Sequence, residues 1–173
     1  NINDSNVSLS SSVSKNFKNA SNRRNHKGET ALHSACASRK YVKVKELLSV
    51  GANPNTRDNA GWTPLHEVVS SNAIDVVELL LEKGSFPDVP GPMNETPLHE
   101  AIKNGHVEIV RLLVKYGADI NLRNSKGITP FDMADDVIKS IVREEQKNCI
   151  APKSYTIDAV LPNSERTFSI NVY

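Results

Sequence analysis

The chain is poor in aromatic residues and in cysteine. Its 173 residues include one Trp, four Tyr and four Phe, so a core has to be built mainly from smaller aliphatic side chains. The two cysteines, Cys36 and Cys149, fit neither a disulfide framework nor a C-x-x-C motif. This cysteine usage is typical of a reducing compartment such as cytosol or nucleus.

Other absences exclude whole classes of function. There is no apolar run of about 18 residues, so we expect no transmembrane helix and no membrane partner. The net charge of +1 does not by itself indicate a nucleic-acid partner, and we expect no sequence-specific contact with nucleic acid. The motifs G-x-S-x-G, Walker A and H-E-x-x-H are all missing. We therefore expect no catalytic residue and no cofactor.

A short phrase repeats along the chain with a fixed spacing. TALH at 30–33 returns as TPLH at 63–66 and again at 96–99, so the period is 33 residues. Thr at the start of the phrase suits a helix N-cap, and Pro64 and Pro97 suit the first helical position. Gly51, Gly84 and Gly117 recur in phase after apolar stretches with helical spacing. The pattern predicts two helices in each unit.

In this period and phrase the chain resembles the ankyrin repeat family. We place full repeats at 28–60, 61–93 and 94–126, and a truncated fourth unit at 127–145 that caps the stack. In that unit Thr-Pro-Phe-Asp replaces the TPLH phrase. The expected fold is an all-α ankyrin repeat solenoid of three full repeats plus a C-terminal capping repeat, within a domain spanning 25–145.

The flanks differ from the repeats in composition. Residues 1–24 are rich in Ser and Asn and predict a flexible tail. Five Lys or Arg lie within 1–27, which favours a solubilising arm, with contact to DNA or the nucleosome surface as the other interpretation. Residues 146–173 are either a linker or the start of a following domain. Because the chain begins with Asn rather than Met, we expect a fragment of a longer protein.

Three histidines, His33, His66 and His99, occupy one equivalent position in each repeat. Stacked helices lie about 8–10 Å apart, whereas zinc needs its nitrogen ligands about 2 Å from one centre. The three side chains therefore do not share a metal, and we expect no metal site. We interpret them as structural groups that hydrogen-bond the backbone and connect one repeat to the next.

Candidate binding residues flank the histidine phrase. Glu67 and Glu100 follow the second and third histidines, and Asp58 and Trp62 lie on the same predicted groove. Glu29 holds the position in the first repeat that Trp62 holds in the second. Acidic groups around the only Trp can receive a cationic side chain. The alternative is that the glutamates are ordinary solvated residues and that Trp62 packs between hairpins.

Three blocks, RRNHKGET (23–30), DNAGWTPLHE (58–67) and NETPLHEAIKNGHVEIVRLL (94–113), resemble one branch of the ankyrin family. This branch is the ankyrin domains of BRCA-associated RING domain proteins. The resemblance implies a non-catalytic chromatin reader that binds the histone H4 tail around an unmethylated lysine. It also implies a nuclear role in homologous-recombination DNA repair within a ubiquitin-ligase complex. A RING-domain partner would bind through regions outside this sequence, which has no RING pattern.

Carried onto this chain, the resemblance assigns peptide binding to a set of side chains along the groove. These are Glu29, Asp58, Trp62, Glu67, Ser70, Glu100 and Asn104. At two of them the chain departs from the family, since Ser70 replaces an Asn and Glu100 replaces an Asp. The alternative function is a generic ankyrin protein–protein adaptor that does not bind histone.

Overall fold

The computed structural model describes residues 21–147, and the regular secondary structure in that range is helical throughout. The helices are α1 Ala31–Ala37, α2 Tyr41–Ser49, α3 Pro64–Ser70, α4 Ile74–Glu82, a 3-10 helix Pro92–Asn94, α5 Pro97–Lys103, α6 Val107–Lys115, α7 Pro130–Met133 and α8 Asp136–Gln146. No helix within 21–147 is both long enough and apolar enough to cross a membrane. Most of the predicted tail and of the predicted linker or further domain lies outside the described residues, so both stay predictions.

The helices form two layers. In the inner layer α1, α3, α5 and α7 pack each on the next, and in the outer layer α2, α4, α6 and α8 do the same. The core between the layers is aliphatic, and its fully buried members include Leu32, Leu65, Leu98, Leu80, Leu113, Ile109 and Val44. The rings of Tyr116 and Phe131 are only partly buried against it. Stacking like units on one another thus provides the core that a chain with few aromatic residues needs.

Each inner helix starts at a threonine in the extended conformation. The main-chain N–H of this threonine donates to the side chain three residues later. The acceptors are His33 at 3.1 Å, His66 at 3.2 Å, His99 at 3.1 Å and Asp132 at 3.0 Å. This arrangement is a capping box, and it satisfies main-chain donors that a helix start leaves unpaired. The need for the same cap in every unit explains why the phrase recurs.

The first three outer helices are each followed by a glycine with a left-handed backbone. The φ angles of Gly51, Gly84 and Gly117 are 88°, 85° and 89°. At Gly84 an added Cβ would meet no atom within 4 Å, so the backbone conformation, rather than lack of space, requires glycine there. The chain then reverses into the hairpin that leads to the next inner helix.

The two ends of the stack are closed differently. On α2, Lys43 and Glu46 form an ion pair of 3.0 Å at the positions where α4 has Val76 and Leu79. Because Val76 and Leu79 are buried by the stacking of outer helices, the polar pair marks a face of α2 turned towards solvent. At the other end α8 packs on α6, and its Glu145 accepts a 2.8 Å hydrogen bond from Arg111.

The third hairpin differs from the others. Gly91 occupies the position of Asn25, Asp58 and Asn124, and the 3-10 helix follows it. Met93 and Asn94 have left-handed φ angles of 58° and 57°. An added Cβ on Gly91 would lie 2.9 Å from His66 Nε2, so this hairpin lies closer to its neighbour than a larger residue permits.

Side-chain amides also connect the outer ends of adjacent units. Asn55 donates to the Gly84 carbonyl at 2.9 Å and accepts from the Phe86 N–H at 2.8 Å. One period earlier, Asn22 accepts from the Asn53 N–H at 2.8 Å. Asn22 lies within the predicted tail 1–24, so the last residues of that segment are hydrogen-bonded to the first repeat.

Candidate functional site

The candidate residues lie where the hairpins meet the inner helices. Each hairpin is closed by a main-chain hydrogen bond across five residues. These bonds run from Asn25 to Glu29 at 2.9 Å, Asp58 to Trp62 at 2.8 Å, Gly91 to Glu95 at 2.7 Å and Asn124 to Ile128 at 3.0 Å. Each hairpin therefore presents one residue at the start of this closed segment and one at its end. We call a set of equivalent positions in successive repeats a column.

The three histidines bridge successive units. Their Nε2 atoms lie against main-chain carbonyl oxygens of the next repeat, namely Trp62 at 3.2 Å from His33, Glu95 at 3.3 Å from His66 and Ile128 at 3.1 Å from His99. A backbone N–H donates to each Nδ1, so the proton of the neutral ring sits on Nε2 and donates to the carbonyl. Both ring nitrogens are then used within the scaffold.

Burial keeps these imidazoles neutral. Desolvation lowers the pKa of His33 and His99, and it lowers the pKa of His66 to about 4. His106, outside this column, donates from Nδ1 to the Val69 carbonyl at 3.0 Å. Within residues 21–147 no group of three or more His, Cys, Asp or Glu side chains is arranged to hold a metal ion. Burial likewise raises the pKa of the Cys36 thiol to about 12, which leaves it unreactive as a nucleophile.

Asp58 has a turn-forming role that does not need its charge. Its Oδ1 accepts from the N–H groups of Ala60 at 2.9 Å and Trp62 at 2.8 Å. Asn25 and Asn124 make the equivalent pairs of bonds in the first and fourth hairpins. Since an asparagine suffices for the turn, the negative charge at Asp58 is additional.

Glu67 on α3 is the centre of an acidic cluster, which we define as Glu29, Asp58 and Glu67. Burial raises the pKa of Glu67, and the charges of Asp58 and then Glu29 raise it further. Its half-buried carboxylate has no hydrogen bond and no ion pair with any residue in the described part of the chain. Glu29, in contrast, accepts a 2.7 Å bond from Asn25. The cluster is an unneutralised negative site.

Two arginines of the first and second hairpins bond to main-chain carbonyls. Arg24 donates to the carbonyls of Gly28 and Arg57 at 2.9 Å and 2.6 Å. Arg57 donates to the Gly61 carbonyl at 3.2 Å. Both guanidinium groups therefore stabilise hairpin backbone and form no ion pair with the acidic cluster among residues 21–147.

Trp62 is linked to this cluster through its backbone, because its N–H donates to Asp58 at 2.8 Å. Its ring centroid lies 5.6 Å from that of His66, with the two planes tilted by 58°. The residue is half-buried, so part of it stays exposed. The ring therefore packs on the scaffold, and its part in binding stays a prediction.

The remaining predicted residues form a second, paired cluster. Glu100 Oε1 accepts from Ser70 at 3.2 Å and from Asn104 at 3.0 Å. Lys103 lies 3.6 Å from the other oxygen of Glu100 and 3.4 Å from Glu95. Ser70, Glu95, Glu100, Lys103 and Asn104 are the members of this paired cluster. The structure thus joins Glu100 with Ser70 and Asn104 rather than with Glu67.

Two members, Glu95 and Lys103, were missed by reasoning from the sequence. Glu95 holds the same column as Glu29 and Trp62, and Lys103 follows Glu100 by three residues on α5, so both carried a signal of position. The direction of the Glu95 side chain, towards Lys103, depends on the irregular third hairpin, and the 33-residue period does not predict that hairpin.

Comparison with known proteins identifies the family. A family model for ankyrin repeats matches the chain in three copies, at residues 7–91, 42–124 and 87–148. The chain belongs to the ankyrin repeat family. The predicted fold class, an all-α ankyrin repeat solenoid, is confirmed by this match together with the helical stack. Ankyrin repeats mediate protein–protein interactions and are generally non-catalytic adaptors. A search of curated proteins found no match to the chain.

Proposed function

We propose that this ankyrin domain binds the tail of histone H4 around an unmethylated lysine. The observation that carries the proposal is the half-buried carboxylate of Glu67, which lies beside Asp58 and Glu29 and has no cation paired with it among residues 21–147. Carboxylates grouped in this way repel each other, and a bound cation offsets this repulsion. A lysine ammonium supplies both the charge and three hydrogen-bond donors.

The electrostatics favour a cation over a neutral ligand. Two unit charges about 4 Å apart attract by about 4 kcal/mol at the effective dielectric constant of a protein surface. Partial burial of Glu67 keeps water from screening this attraction fully. Trp62 adds an aromatic wall for the aliphatic part of the lysine or for the ammonium itself.

Selectivity for unmethylated lysine follows from the number of N–H donors on its ammonium group. Each methyl group removes one N–H donor and enlarges the head of the side chain. The carboxylates of the acidic cluster would then be desolvated without full pairing, which costs about 1.5–3 kcal/mol for each lost bond to a charged group. This corresponds to about a tenfold to hundredfold difference in affinity.

The resemblance to the ankyrin domains of BRCA-associated RING domain proteins supplies the histone and the cellular setting of the proposal. On that resemblance we propose that the domain acts in the nucleus, as part of a DNA-repair ubiquitin-ligase subunit in homologous recombination. In that setting the ligase partner binds elsewhere in a longer chain, and this domain contributes recognition without catalysis.

Calorimetry with two H4 tail peptides tests the proposal. The unmethylated peptide should bind at least about tenfold more tightly than the peptide dimethylated on the same lysine. Glu67→Gln should remove this preference, because the amide keeps the shape and loses the charge. Glu108→Gln on outer helix α6 is the matched control and should bind as the original chain does. Equal affinities for both peptides, or no binding of either, would refute the proposal.

The second candidate function is a generic adaptor that does not bind histone. The paired cluster favours it, because Glu100 already bonds to Ser70, Asn104 and Lys103 and so part of the groove offers no free carboxylate. An adaptor of this kind would bind a folded partner through its hairpin tips. Glu67→Ala would then leave partner binding intact, whereas Met93→Glu at the exposed third tip would abolish it.

A further inference from the structure

Lys103 holds its ammonium between two carboxylates of the third repeat. Its Nζ lies 3.4 Å from Glu95 and 3.6 Å from Glu100. The side chains of Glu95 and Glu100 are 25% and 15% exposed, whereas that of Lys103 is 52% exposed. The charges of Glu100 and then Glu95 raise the pKa of Lys103, so the side chain stays protonated. A cation of the chain itself thus covers two largely buried acids.

The second and third repeats differ at this point. Glu100 holds the column of Glu67, and both follow a capping histidine on an inner helix. Lys103 holds the column of Ser70, so the second repeat has no ammonium in the corresponding place. The same scaffold therefore presents one carboxylate that is unpaired and, one unit along, one that is already neutralised.

We propose that Lys103 is a specificity-determining residue that restricts the groove to one bound cation. The inference rests on the proposed function and deepens it. A second ammonium from the ligand would have to displace Lys103, and exchanging one ammonium for another gains little because the pair is preformed at i and i+3 on α5. The groove then holds one lysine of the ligand at the acidic cluster, and a second cation of the same peptide gains no further site at the third repeat.

The distance along the peptide between the two lysine positions follows from the stack. Packed helices lie about 8–10 Å apart, and an extended peptide advances about 3.3 Å per residue. Neighbouring repeats are therefore about three peptide residues apart. A second lysine three positions from the first should bring no gain in affinity to the original chain.

Binding of paired peptides by the full chain tests the role of Lys103. The single-lysine probe is an H4 tail peptide in which every Lys and Arg other than the bound lysine is replaced by Gln, and the two-lysine probes carry a further lysine three residues before or after the bound one. The original chain should bind all of them within about twofold. Lys103→Gln should bind one two-lysine probe about tenfold more tightly than the single-lysine probe, which is the gain expected from one added bond between charged groups.

Lys43→Gln is the matched control, because Lys43 forms the same i, i+3 pair with Glu46 but lies on outer helix α2. It should behave as the original chain does. An equal gain in Lys43→Gln would show that bulk charge is responsible and would overturn the proposal. A lack of gain in Lys103→Gln would overturn it as well.

Amide chemical shifts separate this proposal from the proposed function. In Lys103→Gln the second lysine should perturb residues 95–104, whereas the first lysine should perturb residues 58–67. If the original chain binds no peptide but Lys103→Gln binds a two-lysine probe at 95–104, the histone proposal fails and the role of Lys103 stands. If the original chain binds the H4 peptide and Lys103→Gln gains nothing, the reverse holds. If neither chain binds any probe, both proposals fail.

Discussion

Asp58 combines two properties that the repeat separates at other positions. The carboxylate accepts the same pair of turn hydrogen bonds that Asn25 and Asn124 accept with amides, and it also adds a charge next to Glu67. At the residue scale, the side chain at one position of a repeat can thus be compared with the side chains at the equivalent positions of the other repeats. What recurs in all units belongs to the scaffold, and what one unit adds is a candidate for binding.

This comparison gives a prediction for Asp58. Asp58→Asn should leave the free energy of unfolding unchanged within about 0.5 kcal/mol, because the amide keeps both turn bonds. Asp58→Ala should lower it by about 1–2 kcal/mol, because both donors lose their acceptor. Urea denaturation of the two variants measures the difference. Equal destabilisation by Asn and Ala would show that the turn needs the charge.

Glu67 should destabilise the free domain at neutral pH. Its pKa is raised in the folded state, so the unfolded chain loses this proton more readily and folding is penalised once the pH rises above the usual value of 4.5. Glu67→Gln should therefore be more stable than the original chain at pH 7.5, and the advantage should disappear below pH 4.5. Denaturation at the two pH values measures this. A variant that is less stable at pH 7.5 would contradict the assignment of an unneutralised carboxylate.

At the scale of secondary-structure elements, the junctions between units depend on the neutral imidazoles of His33, His66 and His99. Each ring accepts a backbone N–H at Nδ1 and donates from Nε2 to a carbonyl of the next unit. Protonation of Nδ1 would turn the acceptor into a second donor that faces an N–H. A ring that gains a proton therefore loses the cap of its own inner helix, while its Nε2–H still donates to the carbonyl of the next unit.

Acid should weaken the stack through these histidines. The pKa of His66 is lowered to about 4 from 6.5, so its contribution to stability is complete above pH 6.5 and is lost as the pH falls towards 4. The loss for His66 is about 3 kcal/mol, since one pKa unit corresponds to about 1.4 kcal/mol. His33 and His99 act in the same direction.

The measurement is the free energy of unfolding between pH 7 and pH 4, made in the Glu67→Gln background. This background removes the raised carboxyl pKa, whose effect on stability has the opposite sign. Adding His66→Gln should make the pH dependence shallower. A curve that is flat from pH 7 to pH 4 would disprove the neutral-imidazole account.

The sequence predicts the regular elements well because the same physical requirement returns every 33 residues. Thr63 and Pro64 mark a helix start, and Gly84 marks a backbone that turns left-handed, so spacing alone locates the helices. The columns also put Glu29, Asp58 and Glu67 on one side of the stack. Local chemistry and period agree at these residues.

The contacts within the paired cluster cannot be predicted from the 33-residue period in the same way. Glu95 reaches Lys103 from the hairpin that contains Gly91 and the 3-10 helix Pro92–Asn94, where the chain departs from its own repeat. The period says which column Glu95 belongs to but not which way its side chain turns. That choice depends on long-range packing between the hairpin and α5.

At the scale of the whole molecule, each unit is stabilised mainly by its neighbours. Outer helices pack in the order α2, α4, α6 and α8, so a perturbation at one end should weaken the nearest unit most. Glu67 and Glu100 lie on the second and third units, away from the ends that fray first, whereas Glu29 and Asp58 belong to the first unit. The stack therefore protects the central carboxylate of each cluster by placing it in the middle.

Damage to the C-terminal cap should spread inward from α8. Val142 is 1% exposed and Val137 is 65% exposed on the same helix, so they form a matched pair. Val142→Asp should lower the free energy of unfolding by more than about 3 kcal/mol, because it buries an unpaired carboxylate, whereas Val137→Asp should change it little. Amide hydrogen exchange should increase in α6 more than in α2. Uniform acceleration along the chain would instead indicate one cooperative unit.

The acceptors of the three histidine bridges are main-chain carbonyls, those of Trp62, Glu95 and Ile128. A carbonyl is present whatever the side chain, and these three side chains are an aromatic ring, an acid and an aliphatic group. A substitution at Trp62, Glu95 or Ile128 therefore leaves in place the carbonyl that accepts the histidine bond between units. Such a chain can change what its groove displays over evolutionary time, one residue at a time, without rebuilding its junctions.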